Sequence, residues 1–201
     1  MAKKPSNRAK KATANKSASS GQVRIISGQW RSRKLPIHDL EGLRPTTDRV
    51  RETLFNWLAT DIRGARVLDC FAGSGALSLE SLSRYAKFAQ ILELQQSAAK
   101  QLQQNLATLK CDNATVTQTD SLSYLANQAE DGFDVIFVDP PFRKDLANKT
   151  IELLAQNNWL NEDALIYVET ESELTNLAVP ADWQLLKEKV AGQLTYRLYQ
   201  A

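Results

Sequence analysis

RVLDCFAGSGALSLE, residues 66–80, runs from apolar, β-prone residues through two glycines into a helix-forming stretch. Its first half, RVLDCFA, reads as a buried strand, Gly73 and Gly75 as a turn, and Gly75 to Tyr85 as a helix. A strand handed to a helix through glycines opens a βαβ unit. The rest of the chain shows whether that unit repeats.

It does. Downstream, FAQILEL reads as a strand, residues 95–110 as a helix, ATVTQTD as a strand and residues 121–129 as a short helix. FDVIFVD is then the fourth strand, residues 146–157 a helix, and ALIYVET the fifth strand. Such alternation predicts a doubly wound, mostly parallel α/β sheet with helices on both faces. The end differs: WQLLKEKVAGQLTYRLYQ is two β-rich runs broken by Gly192, which predicts an antiparallel pair closing the sheet. Upstream, VRIISGQWRSRKLPI reads as a β-hairpin. RPTTDRVRETLFNWLA reads as a turn, an N-cap at Thr47 or Asp48, and a helix with Val50, Leu54, Trp57 and Leu58 at helical spacing. The expected division is a basic, disordered tail over 1–22, a hairpin arm over 23–45, and the α/β domain over 46–201.

Charge is divided along the chain. Residues 1–51 hold 13 of the 25 Lys and Arg but three of the 23 acids, a net +10, whereas the remainder is −8. A basic arm on an acidic body fits a polyanionic partner, and Arg24, Arg31, Arg33 and Lys34 are the arm's candidate phosphate contacts. No apolar run approaches the ~18 residues a membrane span requires. The single histidine, His38, excludes the usual His/Cys metal clusters. Cys70 and Cys111 make no disulfide framework and suit a reducing, cytoplasmic setting.

At the Gly loop, the backbone and the helix N-terminus can approach a ligand. Ser78 stands where a dinucleotide fingerprint needs its third glycine. Asp69 precedes the loop, and Glu93 ends the second strand 24 residues on, placed to accept from ribose hydroxyls. Asp120 ends the third strand, placed for an adenine amino group or as the N-cap of the helix that follows. Carboxylates beside a Gly loop at one sheet edge describe an adenosine-type ligand. No Walker lysine follows the loop, which disfavours a nucleoside triphosphate. S-adenosylmethionine and a nicotinamide nucleotide both remain.

The fourth strand ends in DPPF, residues 139–142, and in a doubly wound sheet it lies beside the first strand. A base amino group is a poor nucleophile because its lone pair is delocalised into the ring. Accepting its N–H bonds favours pyramidalisation. Asp139 can be one acceptor and the carbonyl of Pro140, on a rigid Pro-Pro unit, the other. Phe142 can stack on the base. This chemistry is methyl transfer to an amino group. Its competitors are an NAD-dependent oxidoreductase, disfavoured by the broken fingerprint, and a non-catalytic RNA-binding or ribosome-assembly factor.

DCFAGSG, DPPF and above all RPTTDRVRETLFNWL and RIISGQWRSRKLP together resemble the 16S rRNA (guanine(966)-N(2))-methyltransferase family of class I S-adenosylmethionine-dependent methyltransferases. The resemblance runs from about Val23 to the C-terminus. It implies a Rossmann-like domain with a hairpin arm and S-adenosylmethionine contacts at Asp69, Phe71, Gly73, Gly75, Glu93 and Asp120. It also implies base handling at Asp139, Pro140 and Phe142, and N2-methylguanine as product in the small ribosomal subunit. The choice of guanine N2 over adenine N6 in DNA or another RNA rests on that resemblance. A monomer without metal is expected.

Overall fold

The computed structural model describes residues 21–37 and 47–201. Most of the basic tail, and residues 38–46 with His38, lie outside the described residues. Gln22–Arg24 (β1) and Lys34–Pro36 (β2) pair antiparallel. Helix Asp48–Trp57 (α1) follows, with Thr47 as N-cap accepting from the Val50 N–H. Then come Arg66–Asp69 (β3), Ala76–Ser83 (α2), Phe88–Glu93 (β4), Gln96–Leu109 (α3), Ala114–Gln118 (β5) and Ser121–Leu125 (α4). Phe133–Val138 (β6), Leu146–Gln156 (α5), Leu160–Glu171 (β7), Gln184–Ala191 (β8) and Leu194–Gln200 (β9) complete the chain.

Seven strands form one sheet in the order β5-β4-β3-β6-β7-β9-β8. Strands β3 to β7 run parallel, while β9 is antiparallel to both β7 and β8. The expected alternation and the closing pair are both present. The order reverses at β3, which has β4 on one side and β6 on the other; ligands of open α/β sheets bind at such a point, beyond the strands' carboxyl ends.

Period-two alternation divides the core between the faces. Val67, Val135, Phe137, Leu165 and Tyr167 join the core with α1, α2 and α3. Their neighbours Leu68, Ile136, Val138, Ile166 and Val168 face α4 and α5. Buried on both sides, the central strands read as continuous apolar runs. Along α1 the buried stripe is Val50, Arg51, Leu54 and Phe55, whereas Trp57, expected on it, is half-buried against Tyr196.

The hairpin turn is fastened to α2. Glu80, fully buried, accepts from the Ile26 N–H at 2.7 Å and the Ser27 N–H at 3.0 Å and pairs with Arg84 at 2.8 Å. Ser83 Oγ donates to the Ser27 carbonyl at 2.5 Å and accepts from the Trp30 N–H at 3.0 Å. Gly28, at φ 82°, is obligatory here: a Cβ would stand 1.9 Å from the Ser83 carbonyl oxygen. Trp30 packs against the core from this turn.

Candidate functional site

Because β5, β4, β3 and β6 are parallel neighbours, Asp120, Glu93, Asp69 and Asp139 come together along one edge of the sheet. Asp69 is buried and receives the Ser78 hydroxyl at 2.5 Å. Ser78 therefore does not leave a gap in a fingerprint; from the first turn of α2 it orients the carboxylate before the loop. Burial pushes the Asp69 carboxyl up to about 6; the Ser78 hydrogen bond opposes this and the Glu93 charge adds to it.

Glu93 ties the loop to the second strand. One carboxylate oxygen accepts from the Gly73 N–H at 2.8 Å and the other from the Gln95 N–H at 2.7 Å. Each oxygen has two lone pairs, so the carboxylate retains acceptor capacity for a ligand's hydroxyls. Its pKa is raised by burial, against these backbone bonds. Gly75, at φ 73°, has an internal reason to be glycine: a Cβ would come within 2.2 Å of Leu102 Cδ2. Phe71 is half-buried against the second core cluster. Asp120 is exposed and caps α4, accepting from the Ser123 N–H at 2.8 Å and the Ser123 hydroxyl at 2.9 Å. Ser121, next to it, donates to the Cys70 carbonyl and joins the third strand's end to the loop. Burial holds the Cys70 thiol well above its ordinary pKa, as befits a packing residue.

Beyond β6, Asp139 is half-buried, Pro140 buried and Phe142 half-buried. Phe142 lines a shallow cavity of about 220 Å³ with Arg143, Glu171, Glu173 and Gln193. Arg143 and Asp145 hold left-handed backbone, at φ 60° and 52°, conformations that non-glycine residues adopt at a cost and that recur at functional sites. The neighbouring strand adds a pair that the motifs do not point to. Glu169, 4% exposed, accepts from the Tyr167 hydroxyl at 2.7 Å. The phenol is held far above its ordinary pKa, mainly by burial and then by the charges of Glu169 and Asp139. The signal for it is local, since Tyr167 and Glu169 are two apart on a strand and share a face.

Of the arm's candidate cations, Arg24 is engaged: its Nη2 lies 2.6 Å from Asp48, and that bond raises its pKa. Arg31, Arg33 and Lys34 are exposed and take part in none of the ion pairs among the described residues. Arg24 and Lys34 line a second cavity with Ser74 and Ala76, so the arm and the Gly loop meet, a juxtaposition the sequence does not foretell. Arg31 and Arg33 are not among its lining residues.

The family model described as Conserved hypothetical protein 95 matches residues 23–200. Ribosomal RNA small subunit methyltransferase D of Escherichia coli is 59% identical over 181 residues, 90% of this chain and 91% of that one. The chain belongs to that methyltransferase family. Its member from Haemophilus influenzae is 55% identical over 183 residues, 90% of this chain and 94% of that one. The solved structure of yhhF from Escherichia coli, 56% identical, superposes with a TM-score of 0.84 and covers 90% of this chain and 98% of that one. The family match starts at Val23, where the resemblance carried by the motifs also begins. No helix among the described residues is long and apolar enough to cross a membrane.

Proposed function

We propose that this chain transfers a methyl group from S-adenosylmethionine to the exocyclic N2 amino group of a guanine in 16S rRNA of the small ribosomal subunit. The observation that carries the reading is the convergence of Asp69, Glu93 and Asp139 on one sheet edge beside the Gly loop, in a chain of the ribosomal RNA small subunit methyltransferase D family. S-adenosylmethionine fits this donor set: the strand-end carboxylates can accept from its hydroxyls and amino groups, and the loop approaches with backbone N–H groups. When bound, it supplies an electrophilic sulfonium methyl.

The chain's own residues do the rest. Glu93 accepts from the ribose, Asp120 from the adenine amino group, and Asp69 supports the loop with Phe71, Gly73 and Gly75. Asp139 and the Pro140 carbonyl accept the two N–H bonds of the target amino group. That favours the pyramidal nitrogen whose lone pair can attack. Phe142 stacks on the base and fixes its plane. The proton becomes acidic only after the nitrogen turns cationic, so orientation matters more than base strength. Arg31, Arg33 and Lys34, with Arg24, hold RNA phosphates on an arm over 23–45, ahead of a catalytic domain over 46–201. The same reading makes the protein a cytoplasmic monomer that works without a metal.

The test is transfer of labelled methyl to purified small-subunit particles lacking the modification, followed by digestion to nucleosides. Label in N2-methylguanosine is expected. Label in N6-methyladenosine would move the assignment to an adenine amino methyltransferase, and an absence of label with every RNA and particle tried would leave a binding factor.

A further inference from the structure

Helix α1 buries a guanidinium without meeting all of its donors. Arg51 is 2% exposed, and its Nη2 lies 2.5 Å from Asp48. Its Nε and Nη1 are buried with no hydrogen-bond partner, a condition shared among the described residues only by the Thr150 hydroxyl. Unmet donors on a buried charge are costly, and where they persist a partner is to be sought. The one carboxylate beside Arg51 is shared, because Asp48 also takes Arg24.

Arg51 lines the cavity of about 480 Å³ where arm, α1 and Gly loop meet. Arg24, Lys34 and Arg51 line it with Asp48, three cations and one carboxylate, and Asp48 pairs with Arg24 and Arg51. Ser74 and Ala76 also line the wall; α2 begins at Ala76 after Gly75, which offers no side-chain cap, and the Asp69 carboxylate accepts the Ser78 N–H within its first turn. A cationic pocket beside a helix start is suited to an anion.

We propose that this cavity is an anion subsite that receives the amino-acid carboxylate of S-adenosylmethionine, and that Arg51 is the residue that recognises it. The inference rests on the assignment of that methyl donor to the Gly loop. Gly73 donates to Glu93, and the next residue, Ser74, lines this cavity, so the subsite adjoins the ribose end of the site across one loop. The carboxylate is the donor's single anionic group, and it ends a slender tail whose α-carbon also carries the amino group. An RNA phosphate carries a sugar on each side and is too bulky to reach a side chain this buried, so the exposed arm cations are left to it.

Calorimetry with two probes tests the subsite: S-adenosylhomocysteine, and S-adenosyl-3-thiopropylamine, which lacks only the carboxylate. Wild-type protein should prefer the first by about tenfold or more, the scale of a charge-assisted hydrogen bond. Arg51→Gln should bring the two within about threefold by weakening S-adenosylhomocysteine alone, since such a bond is what sets the preference. Arg51→Lys, which restores a charge without the fork, should recover part of it. Equal binding of both probes to the wild type overturns the inference without recourse to any variant, as does a preference that Arg51→Gln retains. Wild-type protein that binds neither probe overturns the cofactor assignment along with it. RNA binding by Arg51→Gln, measured at several salt concentrations, should keep the wild-type slope; a slope shallower by about 0.7–0.9 units, the value of one neutralised phosphate, would hand Arg51 to the RNA.

Discussion

Asp139 lies beyond the end of β6, next to the buried Tyr167–Glu169 pair of β7, and the proposed mechanism gives it a task separate from cofactor binding. Asp139→Ala should abolish methyl transfer and leave S-adenosylhomocysteine affinity nearly unchanged in calorimetry; wild-type turnover would sink the mechanism. Glu93→Ala should do the converse. Its carboxylate holds the Gly73 N–H as well as the proposed ribose, so affinity should drop by about 1.5–3 kcal/mol, with a smaller effect on turnover at saturating cofactor. Asp69 makes a prediction about pH. Its carboxyl is raised to about 6, so between pH 4 and 6 the native state keeps a proton that the unfolded chain releases. Stability should therefore fall as pH rises through that window, by up to about 3 kcal/mol from this group, and level off above it. Asp69→Asn, still able to accept from Ser78, should remove that slope in urea titrations at several pH values. A variant with the wild-type slope would mean that Asp69 titrates normally.

At the scale of elements, the arm is a fastened hairpin. Its turn is held by four hydrogen bonds to the buried Glu80 and Ser83 side chains of α2, and Glu80 also pairs with Arg84. Removing one partner of a buried ion pair typically costs about 3–5 kcal/mol, and Glu80→Ala should destabilise the protein on that scale in urea unfolding. Glu80→Gln, which retains an acceptor, should cost less; equal losses would show that shape rather than hydrogen bonding matters there. The strands, the sheet order near the site and the carboxylate edge are legible in the sequence, because period-two runs and strand-end acids are local patterns. The fastening is not. Glu80 and Ser83 bond to backbone groups 53 to 56 residues away, and nothing local distinguishes them from solvated helix residues. Arg51 is nearer to legible: it lies three residues before Leu54 and seven before Leu58, on the stripe that α1 buries. A charge at such a position is easily passed over when apolar residues are counted. Ser78 looks in the sequence like a missing glycine, since a hydroxyl reaching back nine residues to Asp69 emerges only once helix and strand are packed.

Along the whole chain, a basic N-terminal quarter precedes an acidic remainder, and the structure places the arm's candidate cations differently. Arg24 is engaged in part by Asp48, while Arg31, Arg33 and Lys34 remain exposed. Replacing those three by Ala should weaken RNA binding whatever the sequence offered, and lower the slope of log affinity against log salt by roughly 0.7–0.9 units for each phosphate no longer neutralised. Adding Arg24→Ala should lower it by less than that further step and should also loosen the start of α1. An unchanged slope would make the hairpin a structural flap. Nucleoside mass analysis of small-subunit RNA from cells lacking the gene, complemented with wild type or with Asp139→Ala, asks directly whether this sheet edge methylates guanine N2 in 16S rRNA. N2-methylguanosine should fall on deletion, return with wild type and fail to return with Asp139→Ala. Unchanged N2-methylguanosine on deletion, or a loss of N6-methyladenosine instead, would rule out guanine N2 as the target.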